Sequence, residues 1–189
     1  MPPKNKFSRE EIIAAALELV RRGGPEALTA RAVGTALGSS PKVIFGLFQN
    51  MEELQKAVMD AANRRYQEFL REDMASGKYP PYKGSGIGYI RFASQEPELF
   101  KMLFMRDRSG EIIREDLDAI QPLLQLIQKS TGMSPREAYL FHLEMWVCVH
   151  GIASMIATGY LEWDWELVSK MLTDFYDGIR TRFPGQGVQ

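Results

Sequence analysis

The chain has 189 residues, a net charge of −1 and 45% hydrophobic residues, enough for one sizeable buried core or a small domain attached to a larger one. Its one cysteine, Cys148, excludes an internal disulfide and fits a reducing, cytoplasmic setting. No apolar run of membrane-spanning length and no N-terminal signal stretch is read, so no membrane partner is expected. Charge is unevenly spread: residues 1–50 carry seven basic and four acidic side chains, and the remainder carries sixteen and twenty. A mildly positive head on a mildly acidic body suits a polyanion at the head alone.

Residues 1–7 form a short polar arm with Lys4 and Lys6, able to lie along phosphates. Ser8 and Glu11 make a capping box that opens a first helix. Its buried face is Ile12, Ile13, Ala16, Leu17 and Val20, and Gly23-Gly24-Pro25 stops it. Thr29 is an N-cap for a second helix carrying Ala32, Val33, Ala36 and Leu37 at helical spacing, and Gly38 ends it. After Ser39 and Ser40, Pro41 suits the first position of a third helix, with Val43, Ile44, Leu47 and Phe48 as its apolar side. The pair spanning residues 29–50 is either a DNA-reading helix-turn-helix or an ordinary helical hairpin in a core.

A long helix is predicted from residue 51 to about 74, capped by Asn50, with Glu52 and Glu53 at the positive end of its dipole. Two prolines and four glycines in residues 76–88 predict a loop, with a new helix from about 85–88 to 95. Pro97 starts another, residues 107–110 turn, and residues 111–129 are helical with Pro122 as a kink. Ser134-Pro135-Arg136-Glu137 opens a helix that runs to about 159, and a last helix spans 164–182. No strand pattern or internal repeat is found. The fold class is therefore all-α, with about nine helices.

The head resembles the tetracycline-repressor (TetR) family of bacterial transcriptional regulators. The matching positions are Ile12, Ala16-Leu17-Glu18-Leu19, Gly24, Ala27-Leu28-Thr29, Val33, Ala36-Leu37-Gly38, Ser40-Pro41, Phe45, Phe48 and Glu53-Leu54. Further on, Trp146-Val147-Cys148-Val149-His150-Gly151 is similar to the Trp-x-x-x-His-Gly signature of one C-terminal domain type in that family. Phe92-Ala93, Pro97, Leu99-Phe100 and Met102-Leu103-Phe104 fit its earlier helices. The resemblance implies a helix-turn-helix DNA-binding domain over 1–50 and a ligand-binding and dimerisation domain over 51–189. It implies a homodimer on a palindromic double-stranded DNA operator, released by a small-molecule effector, with the last two helices forming the dimer.

Carried over position by position, the resemblance puts Thr29, Arg31, Ser40, Pro41, Lys42, Phe45, Gly46 and Leu47 against DNA. Lys42 is the one cation on the second helix of the pair. The family's usual tyrosine is Phe45 here, its usual histidine is Leu47, and its usual lysine is Met51. Three polar phosphate contacts are thus missing, which implies weaker or more selective binding with a shallower salt dependence. Phe45 and Leu47 suit thymine methyl groups instead.

In the second half, His142, Trp146 and His150 recur every four residues and share one broad helical face. With Phe100, Phe104 and Tyr139 they suit an apolar or aromatic ligand. Each of these side chains also reads as core. The expected dimer contacts are Gly151, Ser154 and Thr158, then Val168, Met171, Leu172 and Phe175, a stripe that in a monomer is simply core. The two histidines lie too far apart along a helix to share a metal ion, and no cofactor is expected. No nucleophile motif, phosphate loop or metal cluster points to an enzyme. The rival reading is a helical adaptor for another protein, with a degenerate DNA-binding head.

Overall fold

A computed structural model describes residues 6–107, 109, 114–160 and 162–183, with the side chains of 114–118 left aside. Among them are eight α-helices, two 3-10 turns and no strand: α1 (Arg9–Gly23), α2 (Ala30–Ala36), α3 (Met51–Ala75), α4 (Pro81–Gln95), α5 (Pro97–Phe104), α6 (Arg114–Thr131), α7 (Pro135–Ala157) and α8 (Trp165–Arg180). The all-α expectation holds. Lys4 of the arm and the expected start of a helix at residue 111 lie outside the described residues.

Packing divides the chain into two units, residues 1–67 with 96–106, and residues 68–95 with 107–189. The unit holding the head therefore runs past the residue-50 boundary read from the sequence.

In the first unit, α1 starts where predicted. The Ser8 hydroxyl accepts from the Glu11 N–H, and the Glu11 carboxylate accepts from the Ser8 N–H. Ile12, Ala16 and Val20 turn inward with Val33, Ile44, Phe48, Leu54 and Val58. Asn50 caps α3 by accepting from the Glu53 N–H at 2.9 Å. From the far side of the sequence, α5 packs on α1. Glu96, which precedes α5, is buried and takes two hydrogen bonds from the Arg21 guanidinium, at 2.6 and 2.9 Å, while Arg65 stands 3.5 Å away.

One sequence expectation is corrected in this unit. The helix predicted at Pro41–Leu47 is a 3-10 turn over Pro41–Val43 followed by hydrogen-bonded turns. The Val43 N–H donates to Ser40, Ile44 to Pro41 and Leu47 to Ile44, all three residues back. Burial of Ile44 and Phe48 anchors the segment, and the Phe48 N–H donates four residues back to the Ile44 carbonyl, a single α-turn at its end.

In the second unit, α4 and α7 form the centre, with α6, α8 and the last turns of α3 around them. Here the predicted loop at 76–88 is shorter than expected. Gly77, with φ of +71°, makes the turn, and helix α4 already begins at Pro81. Gly84 and Gly88 sit inside α4 because a side chain there has no room. A Cβ on Gly84 would lie 2.7 Å from the Asp73 carbonyl oxygen, and one on Gly88 2.8 Å from that of Phe69. These glycines, four residues apart on one helical face, record a backbone-to-backbone approach of α4 to α3. Arg91 secures the same contact by pairing with Glu72 and Asp73 and lying over the Phe69 ring.

By length and composition α7 is apolar enough to cross a membrane, contrary to the expectation that no run reaches that length. Its residues Ala138, Phe141, Met145, Val149, Ile152 and Ala153 are buried in this unit against α4, α6 and α8, as in a core helix. Its N-terminus has the predicted cap, with Ser134 and Glu137 in reciprocal hydrogen bonds.

The glycines make a differential stability test. Gly88→Ala gains about 1 kcal/mol of helix propensity but meets backbone, and overpacking costs about 1–3 kcal/mol. Gly86→Ala meets only side chains, at 3.4 Å and beyond. Thermal unfolding followed by circular dichroism is expected to show a lower Tm for Gly88→Ala and an unchanged or higher Tm for Gly86→Ala. Equal shifts would refute the close approach.

Candidate nucleic-acid interface and effector face

The candidate interface is built on α2 and the turn that follows it. Thr29 caps α2, its hydroxyl accepting from the Ala32 N–H at 3.1 Å. Gly38, with φ of +60°, turns the chain, and the Ser39 N–H returns to the Gly34 carbonyl at 2.8 Å. Gly34 is a residue that the sequence reading passed over. A Cβ there would lie 2.9 Å from the Pro41 nitrogen, so only glycine lets the turn fold this closely over α2. A glycine in mid-helix was the available signal.

Thr29, Arg31, Ser40, Lys42, Phe45 and Gly46 are exposed on this surface, Pro41 and Leu47 are half-buried, and Phe45 is 51% exposed despite being aromatic. From residue 27 to residue 51, Arg31 and Lys42 are the only charged side chains. Neither has an ion-pair partner among the described residues, whereas Arg9, Arg21, Arg22 and Arg65 of the same unit are paired with Glu53, Glu18 or Glu96. Leu47 is held from behind: its carbonyl accepts from Arg9, whose guanidinium also lies 4.0 Å from the Phe48 ring centre. Glu53 accepts from both Arg9 and the Gln49 N–H, which holds its carboxyl below the usual range, the Gln49 bond being the larger cause. Arg9 and Glu53 thus brace the end of this segment at Leu47, Phe48 and Gln49. Sequence spacing does not disclose that pair.

The proposed effector residues are divided between the two units. Phe100 and Phe104 belong to the first unit, where they pack against each other, and Phe104 meets Tyr66. Tyr139, His142, Trp146 and His150 lie on α7 in the second unit. The Tyr82 hydroxyl is 3.0 Å from His142 Nδ1, and the Tyr89 hydroxyl is 2.9 Å from His150 Nδ1. His150 Nε2 is 3.3 Å from the Ser154 hydroxyl, and the Trp146 ring stacks on the His150 imidazole with centroids 4.9 Å apart. These rings form two Tyr–His links between α4 and α7, seven residues apart on one helix and eight on the other. The Tyr82 and Tyr89 partners were missed because a buried tyrosine reads as core. Burial pushes His142 down to about 4 and lowers His150 as well. Both rings are therefore neutral near pH 7.

The expected dimer stripe also divides. Val168 and Leu172 are buried within their own unit, and Phe175 packs on a cluster around Phe141, so this stripe of α8 is core. Met171 is half-buried. On α7, Leu140, Leu143 and Val147 are exposed and continue along one helical face to Gly151, Ser154 and Thr158. A Cβ on Gly151 would meet nothing within 4 Å.

Comparison with known proteins agrees with this architecture. Residues 12–58 match the family model described as bacterial regulatory proteins, tetR family, and residues 83–175 match the tetracyclin repressor-like C-terminal domain. An uncharacterized HTH-type transcriptional regulator of Mycobacterium tuberculosis is 25% identical over 168 residues, covering 83% of this chain and 73% of that protein. A putative TetR-family regulator from Vibrio parahaemolyticus has a similar fold, with a TM-score of 0.67 at 14% identity over 90% of this chain and 97% of its own. The repressor of a Stenotrophomonas maltophilia multidrug efflux pump gives 0.60 at 17% identity over 98% of this chain and 94% of its own.

The depressed His142 makes stability depend on acid. An unfolded histidine takes up a proton near 6.5 and the folded one only near 4. This contribution is therefore fully present above about pH 6.5 and is lost as pH falls toward 4. Its size is on the order of 2 kcal/mol by pH 4.5. Urea unfolding at pH 7 and 4.5 is expected to lose that much more stability in the native chain than in His142→Gln. An equal loss would show that His142 does not titrate in this way.

Proposed function

This chain belongs to the tetR family of bacterial regulatory proteins, which are DNA-binding transcriptional regulators, and from that premise we propose that it is a ligand-responsive repressor acting in the cytoplasm. It grips a palindromic operator as a homodimer. The observation that carries the DNA reading is the surface at residues 27–51, whose only charges are two free cations.

In this reading Arg31 and Lys42 meet phosphates or base edges, and Thr29, Ser40 and Gly46 bring backbone and hydroxyl groups to the duplex. Phe45, exposed beside them, replaces a polar phosphate contact with an apolar one suited to a thymine methyl. Leu47 has a lesser part, since it is half-buried and its carbonyl is taken by Arg9. The effector is a small apolar or aromatic molecule bound by the second unit. It releases DNA only as far as it binds the low-affinity state better. Tyr139 and Trp146 offer ring surface to it, and His142 a neutral ring already oriented by Tyr82.

Dimerisation is assigned to one face of α7 and its C-cap, from exposed Leu140 and Val147 through half-buried Gly151 and Ser154 to exposed Thr158. Apolar side chains at one end and small ones at the other suit helix-on-helix packing across a two-fold axis.

A salt-titrated shift assay on the DNA upstream of its own gene tests the first part. Lys42→Ala is expected to reduce the slope of log K against log salt by about 2, one phosphate per subunit. Uracil in place of half-site thymines is expected to weaken the native protein but not Phe45→Ala. Binding that stays at non-specific levels at low salt, from a verified dimer, would favour the adaptor reading. For the interface, Val147→Arg is expected to give a folded monomer in analytical ultracentrifugation, because Val147 is 60% exposed and supports no core. An undisturbed dimer would move the interface elsewhere.

A further inference from the structure

Arg9, the first residue of α1, ties together three parts of the first unit. Its guanidinium donates to the Leu47 carbonyl and to Glu53 Oε1 of α3, each at 2.8 Å, and lies 4.0 Å from the centre of the Phe48 ring. The other Glu53 oxygen, Oε2, accepts from the Gln49 N–H at 2.7 Å, and the Glu53 N–H donates to the Asn50 side chain at 2.9 Å. Each residue from 47 to 50 is thus held by Arg9 or Glu53. The two side chains are 38% and 36% exposed, and an ion pair so placed adds little to stability by itself. Its geometry says more than its strength. The segment it holds carries Lys42 and exposed Phe45, yet three of its backbone bonds reach only three residues back. Turns of that kind hold their shape less firmly than an α-helix. Ile44 and Phe48 are buried, but apolar burial has no direction, whereas the bonds to the Leu47 carbonyl and the Gln49 N–H do.

We propose that Arg9 and Glu53 are positioning residues for sequence-specific DNA binding, which fix the pose of Lys42 and Phe45 without touching DNA themselves. The proposal rests on the DNA-reading role argued above for that segment. It runs against simple electrostatics. Neutralising a carboxylate on a protein that binds a polyanion strengthens binding on charge grounds alone. Here the loss of the Glu53 charge weakens specific binding, because a glutamine amide offers one acceptor oxygen where the carboxylate uses two. Lysine at position 9 keeps the cation but lacks the planar fork that serves a carbonyl, a carboxylate and a ring together.

The test uses the full chain and two duplexes: the sequence that the native protein enriches from a random library, and a scrambled duplex of the same composition. Glu53→Gln and Arg9→Lys, each checked for a native circular dichroism spectrum, are expected to bind the enriched duplex roughly tenfold more weakly, the worth of a lost charged hydrogen bond. Both are expected to bind the scrambled duplex no more weakly than the native chain does. Glu52→Gln removes the same charge one residue away and is expected to weaken binding to neither duplex. Arg9→Gln is expected to leave the slope of log K against log salt unchanged, since no phosphate contact is lost. Enriched-duplex binding that is unchanged or tighter in Glu53→Gln overturns the proposal, and so does full affinity in Arg9→Lys, which carries the same comparison should Glu53→Gln not fold. A slope shallower by about 2 on both duplexes in Arg9→Gln also overturns it, and makes Arg9 a phosphate contact. A native chain that enriches no sequence overturns the regulator reading and this proposal with it, whereas specific binding indifferent to Arg9 and Glu53 overturns this proposal alone.

Discussion

The first unit depends on one buried carboxylate. Glu96 stands at the start of α5, about 75 residues from the helix it serves, and both its oxygens are taken by Arg21 of α1. Burying a charge is costly unless it is paired and hydrogen-bonded, and here the pairing is two-pronged. Removing Arg21 would leave the buried charge with Arg65 as its remaining ion-pair partner among the described residues, which destabilises the unit. The pair matters less for raw stability than for position. An apolar contact between α1 and α5 tolerates sliding by a fraction of a turn, whereas a two-pronged ion pair does not. The arrangement of α1 in turn bears on α2, which packs against it, with Ile12, Ala16 and Val20 buried.

The local signals were legible in the sequence. Ser8 with Glu11, Thr29, Asn50 and Ser134 with Glu137 all cap helices as their types and spacing predict, since a cap is a bond between neighbours along the chain. What was hidden was the identity of distant partners. The glycines of 84–88 read as breakers because composition reports a residue's backbone freedom and not the helix pressed against it. Val168 and Leu172 formed an apolar stripe as expected, but a stripe does not state whether its cover is the same chain or another. Phe100 and Phe104 read both as pocket lining and as core, and their ring contacts to each other and to Tyr66 within the first unit are not visible from spacing. His142 and His150 were singled out by their spacing, while the tyrosines that hold them lie about 60 residues away.

The surface proposed to read DNA combines sparse charge with firm support. Phe45 projects where a polar ring is usual in the family, yet the turn beneath it is held by Gly34, Arg9, Ile44 and Phe48. With few polar contacts available, a preformed surface counts for more, because little ordering remains to oppose binding. The same logic holds for the second unit. Neutral histidines bonded to tyrosines fix the register of α4 on α7 without placing charge in the core.

The contact of α4 with the last turns of α3 has a mechanical consequence. Where side chains interdigitate, a helix adapts to a push by changing rotamers, and the displacement fades with distance. At Gly84 and Gly88 there is no side chain to yield, only main chain against main chain. Such a joint has no intermediate settings. Within this unit α4 and the end of α3 either travel as one piece or come apart, and a force applied to one arrives undiminished at the other.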